Sequence, residues 1–268
     1  MNSCWPKLSG PIPFGPNYRP LATTVDPAEI RTFEQFSSQQ WWDEFGPMRA
    51  LHSLNSLRVP LVVRTLKPTL IGRPKSLAGC GILDAGCGVG ILTEPLARLG
   101  AQVTGADAAK AMIEIAQTHR DLDPELSSSN PHYVSLPVEQ LVDLGEQFEA
   151  VVASEIIEHV WDARQFVQIC CQLVRPGGWL IITTLNRTWL ARALGIWAAE
   201  NLLGLVPKGT HDWHKFIPPG DLKLMIEEQP NNWAVTLTHG MFYNPLRNQW
   251  SWWPDTSVNY AMVARKYA

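Results

Sequence analysis

Glu155, Glu158 and His159 stand at spacings of three and four, which on a helical turn put all three on one face. Two carboxylates and an imidazole that converge suit a hard or borderline divalent ion with open water positions. A solvated acidic turn with His159 satisfied by its neighbours is the plain alternative. Upstream, Asp84-Ala-Gly86-Cys-Gly88-Val-Gly90 carries glycines at spacing two and two, so the backbone can turn tightly against a ligand. Asp107 follows Gly86 by twenty-one residues, where a carboxylate at a strand end accepts the ribose hydroxyls of an adenosine. The plain alternative is a tight turn, with Asp107 capping the next helix.

These residues need a sheet edge to hold them. Short apolar runs at residues 81–86, 101–107, 132–136, 148–154, 178–184, 234–239 and 260–267 alternate with amphipathic stretches at 90–99, 108–120, 162–174 and 221–229. That rhythm predicts an α/β fold with a doubly wound, mostly parallel, seven-stranded sheet. Asp26-Pro27 is a helix start, with Ile30, Phe33 and Phe36 on one face, and a second helix is expected over 55–66. Residues 26–79 thus form an N-terminal helical cap on a single domain, 26–268. Residues 187–217 form an insertion after the fifth strand. Within it, 187–205 reads as an apolar helix with Trp189 and Trp197, either an interfacial lid or an ordinary packed helix. It is too short and too polar to span a membrane. Residues 1–25 hold five prolines and no acidic residue and read as a disordered leader with a weak targeting signal.

Composition narrows the class of partner. The 268 residues are 46% hydrophobic and 18% charged, with a net charge of −3 and a mean hydropathy of −0.07. Such a chain is globular, neither disordered nor built of membrane spans, and lacks the basic field that nucleic acid requires. Five cysteines without a CxxC pair fit a reducing compartment better than a disulfide framework. Twelve tryptophans point to aromatic surfaces beyond the needs of a core.

The third glycine comes one residue too early for a dinucleotide fingerprint, and the spacing resembles the nucleotide loop of class I methyltransferases with their Rossmann-like fold. Gln40-Trp-Trp-Asp-Glu44, Leu51 to Val59, Ile82 to Gly90, Ser154-Glu-Ile-Ile-Glu-His-Val160, Leu173 to Gly178, Thr183 to Arg187 and Val206-Pro-Lys-Gly-Thr-His211 are similar to one family. That family is the ubiquinone-biosynthesis O-methyltransferases, and the mitochondrial branch more than the bacterial. The resemblance implies that Arg58, Gly86, Gly88, Asp107 and Ser154 bind S-adenosylmethionine, with Arg58 on the methionine carboxylate. It implies catalytic roles for Glu155 and His159 and specifies Mg2+ at Glu155, Glu158 and His159. His159 is then either a metal ligand or the direct base, roles that exclude each other. It implies polyprenylated catechol and quinol substrates, polyprenyl dihydroxybenzoate and demethylubiquinol. With them come peripheral contact with the matrix side of the mitochondrial inner membrane and other ubiquinone-biosynthesis proteins as partners. Two readings stay open beside it: a class I methyltransferase for another small phenol, amine or carboxylate, and a cofactor-binding scaffold of a biosynthetic complex.

Overall fold

Apolar runs such as Ile82-Leu83, Val151-Val152 and Ile181-Ile182 have no polar side because both faces of their strands are covered, as parallel strands require. In the computed structural model, which describes residues 23–67, 76–188, 191 and 215–267, these runs are the centre of a sheet. Five strands pair in parallel: β1 (Gly81–Ala85), β2 (Gln102–Ala106), β3 (His132–Val134), β4 (Phe148–Ser154) and β5 (Val174–Leu185). Three more, β6 (Trp233–Asn244), β7 (Gln249–Trp253) and β8 (Asn259–Lys266), add antiparallel to give the order β3-β2-β1-β4-β5-β8-β6-β7. The order reverses between β1 and β4, so the crevice for a ligand opens beyond their carboxyl ends.

The sheet has eight strands, one more than the seven expected. The extra one, β7, lies in the tryptophan-rich stretch and reads Gln249-Trp-Ser-Trp-Trp253, with Trp250 and Trp252 half-buried and Gln249, Ser251 and Trp253 exposed. Trp250 Nε1 donates to Ala50 O at 2.8 Å, so part of the tryptophan excess covers the sheet edge with the N-terminal helices.

Helix α1 (Pro27–Phe33) starts as expected, with Asp26 as its cap accepting from Ala28 N. Helix α2 (Ser38–Trp42) opens with a Ser37/Gln40 capping box and was not anticipated. Helix α3 (Arg49–Leu66) begins earlier than expected and carries Pro60 inside it. Helices α4 (Thr93–Arg98), α5 (Lys110–Leu122), α6 (Val138–Asp143), α7 (Ala163–Leu173) and α8 (Pro219–Glu227) follow. Leu54, Leu57 and Leu61 of α3 bury against Ile82, Val152 and Ile181. Phe166, Val167 and Cys170 of α7 bury against Leu83, Val151 and Leu180 on the opposite face.

The leader boundary needs correcting. Thr24 is buried, Val25 bridges Val160 and Trp161 N donates to Thr24 O at 2.8 Å, so these residues belong to the folded body. The expected lid helix lies almost wholly outside the described residues, as do residues 1–22. Among the described residues no helix is long and apolar enough to cross a membrane.

Candidate active site

Beyond Ala85 of β1 the chain turns through Gly86, Gly88 and Gly90, all at positive φ. A Cβ on Gly86 would stand 2.4 Å from Ile156 Cγ1, and one on Gly90 would stand 2.1 Å from Tyr133 Oη. Gly90→Ala combines left-handed strain with overpacking, and we expect it to cost about 2–4 kcal/mol of stability. Denaturant unfolding should show the loss; an unchanged midpoint would mean that the turn relaxes freely.

Asp107 follows β2 and grips this loop. Its Oδ2 accepts from Gly88 N at 2.9 Å and its Oδ1 from Ala109 N at 2.8 Å. Burial pushes its carboxyl up, and those two N–H groups pull it back in part. The side chain therefore forms a turn onto Ala109, just ahead of the following helix, and also lines the pocket. Asp84 lies beneath, accepting from Thr93 Oγ1 at 2.6 Å. Burial, helped by the Asp107 charge and opposed by Thr93 and Arg58, pushes it up to about 6.

Arg58 of α3 is 4% exposed, so it is no solvated surface arginine. Its Nη1 donates to Ser154 Oγ at 2.9 Å, its Nη2 to Leu51 O at 2.9 Å and to Asn55 Oδ1 at 2.7 Å. Burial lowers it to about 10 against the opposing charges of Glu155 and Asp84. The chain of hydrogen bonds continues past Ser154. Ser154 Oγ lies 2.7 Å from Thr183 Oγ1, which donates to Glu155 Oε1 at 2.7 Å. Since Thr183 has one hydroxyl proton and gives it to the carboxylate, Ser154 donates to Thr183. Arg58, Ser154 and Glu155, far apart in sequence, are thus joined through Thr183, a residue outside the expected site.

The acidic turn departs from its expected shape. Glu155 sits at φ +54, and Ile157–His159 form a single 3₁₀ turn. With Glu155 outside any helix, the spacing of three and four no longer brings the three side chains together. Glu158 Oε2 accepts from Thr184 Oγ1 at 2.9 Å, and His159 Nδ1 lies 3.1 Å from Glu29 Oε2. Among the described residues no three such groups converge as a metal cluster. Only Glu155 and His159 of the three line the pocket.

The donor chemistry nevertheless suits a hard divalent cation. Burial and the neighbouring Glu158 charge push Glu155 up to about 7, against Thr183, Arg58 and His159. Burial also raises Glu158. A cation would relieve this buried pair, and Mg2+ is commonly held by one or two carboxylates, with water and substrate oxygens completing its shell.

His159 is held from α1. Burial lowers its pKa, but the Glu29 hydrogen bond and the charges of Glu158, Glu29 and Glu155 outweigh this and leave it raised. Glu29 in turn is raised by burial and lowered further by His159 and Lys215. Glu29 gave no signal in the sequence beyond being a polar residue four before Phe33.

Residues 83–182 match a family model described as a methyltransferase domain. Magnesium protoporphyrin IX methyltransferase from Synechocystis PCC 6803, solved with bound SAM, superposes with a TM-score of 0.59. That match is at 17% identity and covers 88% of this chain and 94% of that one. The mitochondrial ubiquinone biosynthesis O-methyltransferase of Homo sapiens is 45% identical over 256 residues, 95% of this chain and 69% of the relative. The ubiquinone biosynthesis O-methyltransferase of Methylobacterium sp. (strain 4-46) is 42% identical, over 93% of this chain and 98% of the relative. The chain belongs to the ubiquinone biosynthesis O-methyltransferase family. It is a class I S-adenosylmethionine-dependent O-methyltransferase, and the pocket beyond β1 and β4 lies where this α/β architecture binds its ligands.

Proposed function

We propose that this member of the family transfers the methyl group of S-adenosylmethionine to a catechol-type hydroxyl of a polyprenylated ubiquinone precursor. Polyprenyl dihydroxybenzoate and demethylubiquinol are the two acceptors. The observation that carries the reading is one pocket lined by Arg58, Gly88 and Asp107 together with Glu155 and His159. Cofactor binding and acceptor activation then share one cavity.

In this reading Asp107 holds the ribose hydroxyls, Gly86 and Gly88 admit the nucleoside, and Arg58 pairs with the methionine carboxylate across from Ser154. The sulfonium supplies an activated methyl, and the C–S electron pair stays on sulfur as the acceptor oxygen takes the carbon. What remains for the protein is alignment and removal of the hydroxyl proton. His159 accepts that proton directly, or else joins Glu155, which lines the same pocket, in holding Mg2+. A divalent cation held there would make a catechol hydroxyl more acidic. The long apolar tail of such acceptors fits a peripheral protein on the matrix face of the mitochondrial inner membrane. Other ubiquinone-biosynthesis proteins would then be its neighbours. The mitochondrial names of the mammalian relatives support the mitochondrial part of that reading.

Methyl transfer from labelled S-adenosylmethionine to a short-tailed catechol, with a monophenol as control, tests the reading. Methylation of the catechol alone is expected, and methylation of neither would overturn it. In the same assay a chelator is expected to stop turnover while calorimetry shows cofactor affinity unchanged. Full turnover in chelator would remove the metal and leave His159 as the base.

A further inference from the structure

Helix α1 contributes more to the pocket than an apolar lid. Its turn holds Glu29 and Phe33, four residues apart and therefore on one face, and both meet the same imidazole. Glu29 Oε2 lies 3.1 Å from His159 Nδ1, and the Phe33 ring meets the His159 ring edge-on, with centroids 5.2 Å apart at 83°. The contact is shielded, with the Glu29 and His159 side chains 14% and 15% exposed. Glu29 is itself held, since Lys215 Nζ donates to Glu29 Oε1 at 3.2 Å and to the helix cap Asp26 Oδ2 at 2.8 Å. The backbone is pinned beside these side chains, ahead of Glu29 and just after His159. Val25 bridges Val160, Trp161 N donates to Thr24 O and Thr24 N donates to Glu139 Oε1.

We infer that Glu29 is a positioning residue for the acceptor chemistry, fixing the tautomer and orientation of His159 from the N-terminal helix. A carboxylate on Nδ1 selects the tautomer with the proton on that nitrogen, so the chemistry falls to Nε2. The same pairing orients a histidine that works as a base and one that ligates a metal. The inference therefore rests on the proposed role of His159 but not on which of its two roles it plays. Lys215, a hundred and eighty-six residues from Glu29, holds the carboxylate with one oxygen on the cation and the other on the imidazole.

The test uses the full chain with S-adenosylhomocysteine bound. Glu29→Leu removes the acceptor, and Glu29→Gln keeps an oxygen of the same reach. Side-chain 15N spectra of the histidines, with His159 assigned from a His159→Asn sample, read the tautomer directly. The wild type is expected to carry its proton on Nδ1, Glu29→Leu to lose that signature and Glu29→Gln to keep most of it. In steady state, kcat on the catechol should fall roughly 10- to 100-fold in Glu29→Leu and recover in part in Glu29→Gln, with cofactor Kd within twofold throughout. An unchanged His159 spectrum in Glu29→Leu overturns the inference, as does a loss of cofactor affinity that matches the loss of kcat. If the wild type methylates no catechol, the proposed function fails, and the spectra still decide the role of Glu29.

Discussion

His159→Ala is expected to lower kcat on a catechol acceptor by about 10²–10⁴-fold, the range for removing a positioned acid–base group. Cofactor affinity should stay within about twofold, because Asp107 and the glycine loop keep their own hydrogen bonds. The two roles open to His159 separate by pH. If it is the base, activity of the variant should rise toward that of the wild type as the acceptor ionises unaided, near pH 10 for a simple phenol. If it is a ligand, Mn2+ affinity should fall with kcat, and high pH alone should not restore turnover. A kcat within threefold of wild type would remove His159 from the chemistry.

Asp107→Ala should weaken cofactor binding by roughly 2–4 kcal/mol, the worth of a charge-assisted pair of hydrogen bonds, or about 30- to 700-fold in Kd. Part of that loss is indirect, since the same carboxylate accepts from Gly88 N and Ala109 N and holds the loop closed before any ligand arrives. Asp107→Asn separates the two effects. It keeps a neutral acceptor for the loop, so its unfolding midpoint should stay closer to wild type than its affinity does. Calorimetry with S-adenosylhomocysteine provides the comparison, and an unchanged Kd in Asp107→Ala would dismiss the cofactor assignment.

The sheet and the glycine loop were legible because their signals are local. A buried parallel strand needs a short apolar run, and Ile82-Leu83 or Val151-Val152 supply one whatever else the chain does. Gly86 and Gly90 occupy positions that no side chain fits, and Asp107 follows from the length of one strand-helix unit. The missed strand β7 has a strict alternation, Trp250 and Trp252 inward. Its residues also suited an aromatic surface loop, and only the presence of α3 beneath them makes one side of the alternation a buried one. The three-ligand cluster was misread because spacing predicts a shared face only if the backbone is helical from the first residue. Glu155 is left-handed and sends its carboxylate to Thr183.

By itself the sequence singled out candidates that the fold brings to one pocket: the glycine loop, Asp107, Glu155 and His159 from their types and spacing, and Arg58 through the family resemblance. It also determined that an α/β sheet presents them, because residue types and strand-helix periods are properties of neighbouring positions. Tertiary structure alone decided which groups face each other. Arg58 reaches Glu155 through Ser154 and Thr183, and Glu29, a hundred and thirty residues from His159, meets its Nδ1. Those pairings have no local signal, since a hydrogen bond between distant elements depends on how helices dock on the sheet. Docking is set by apolar packing, such as that of Phe33, Phe36 and Trp41 over the loop. Packing brings polar partners within reach without leaving a trace in the spacing of either.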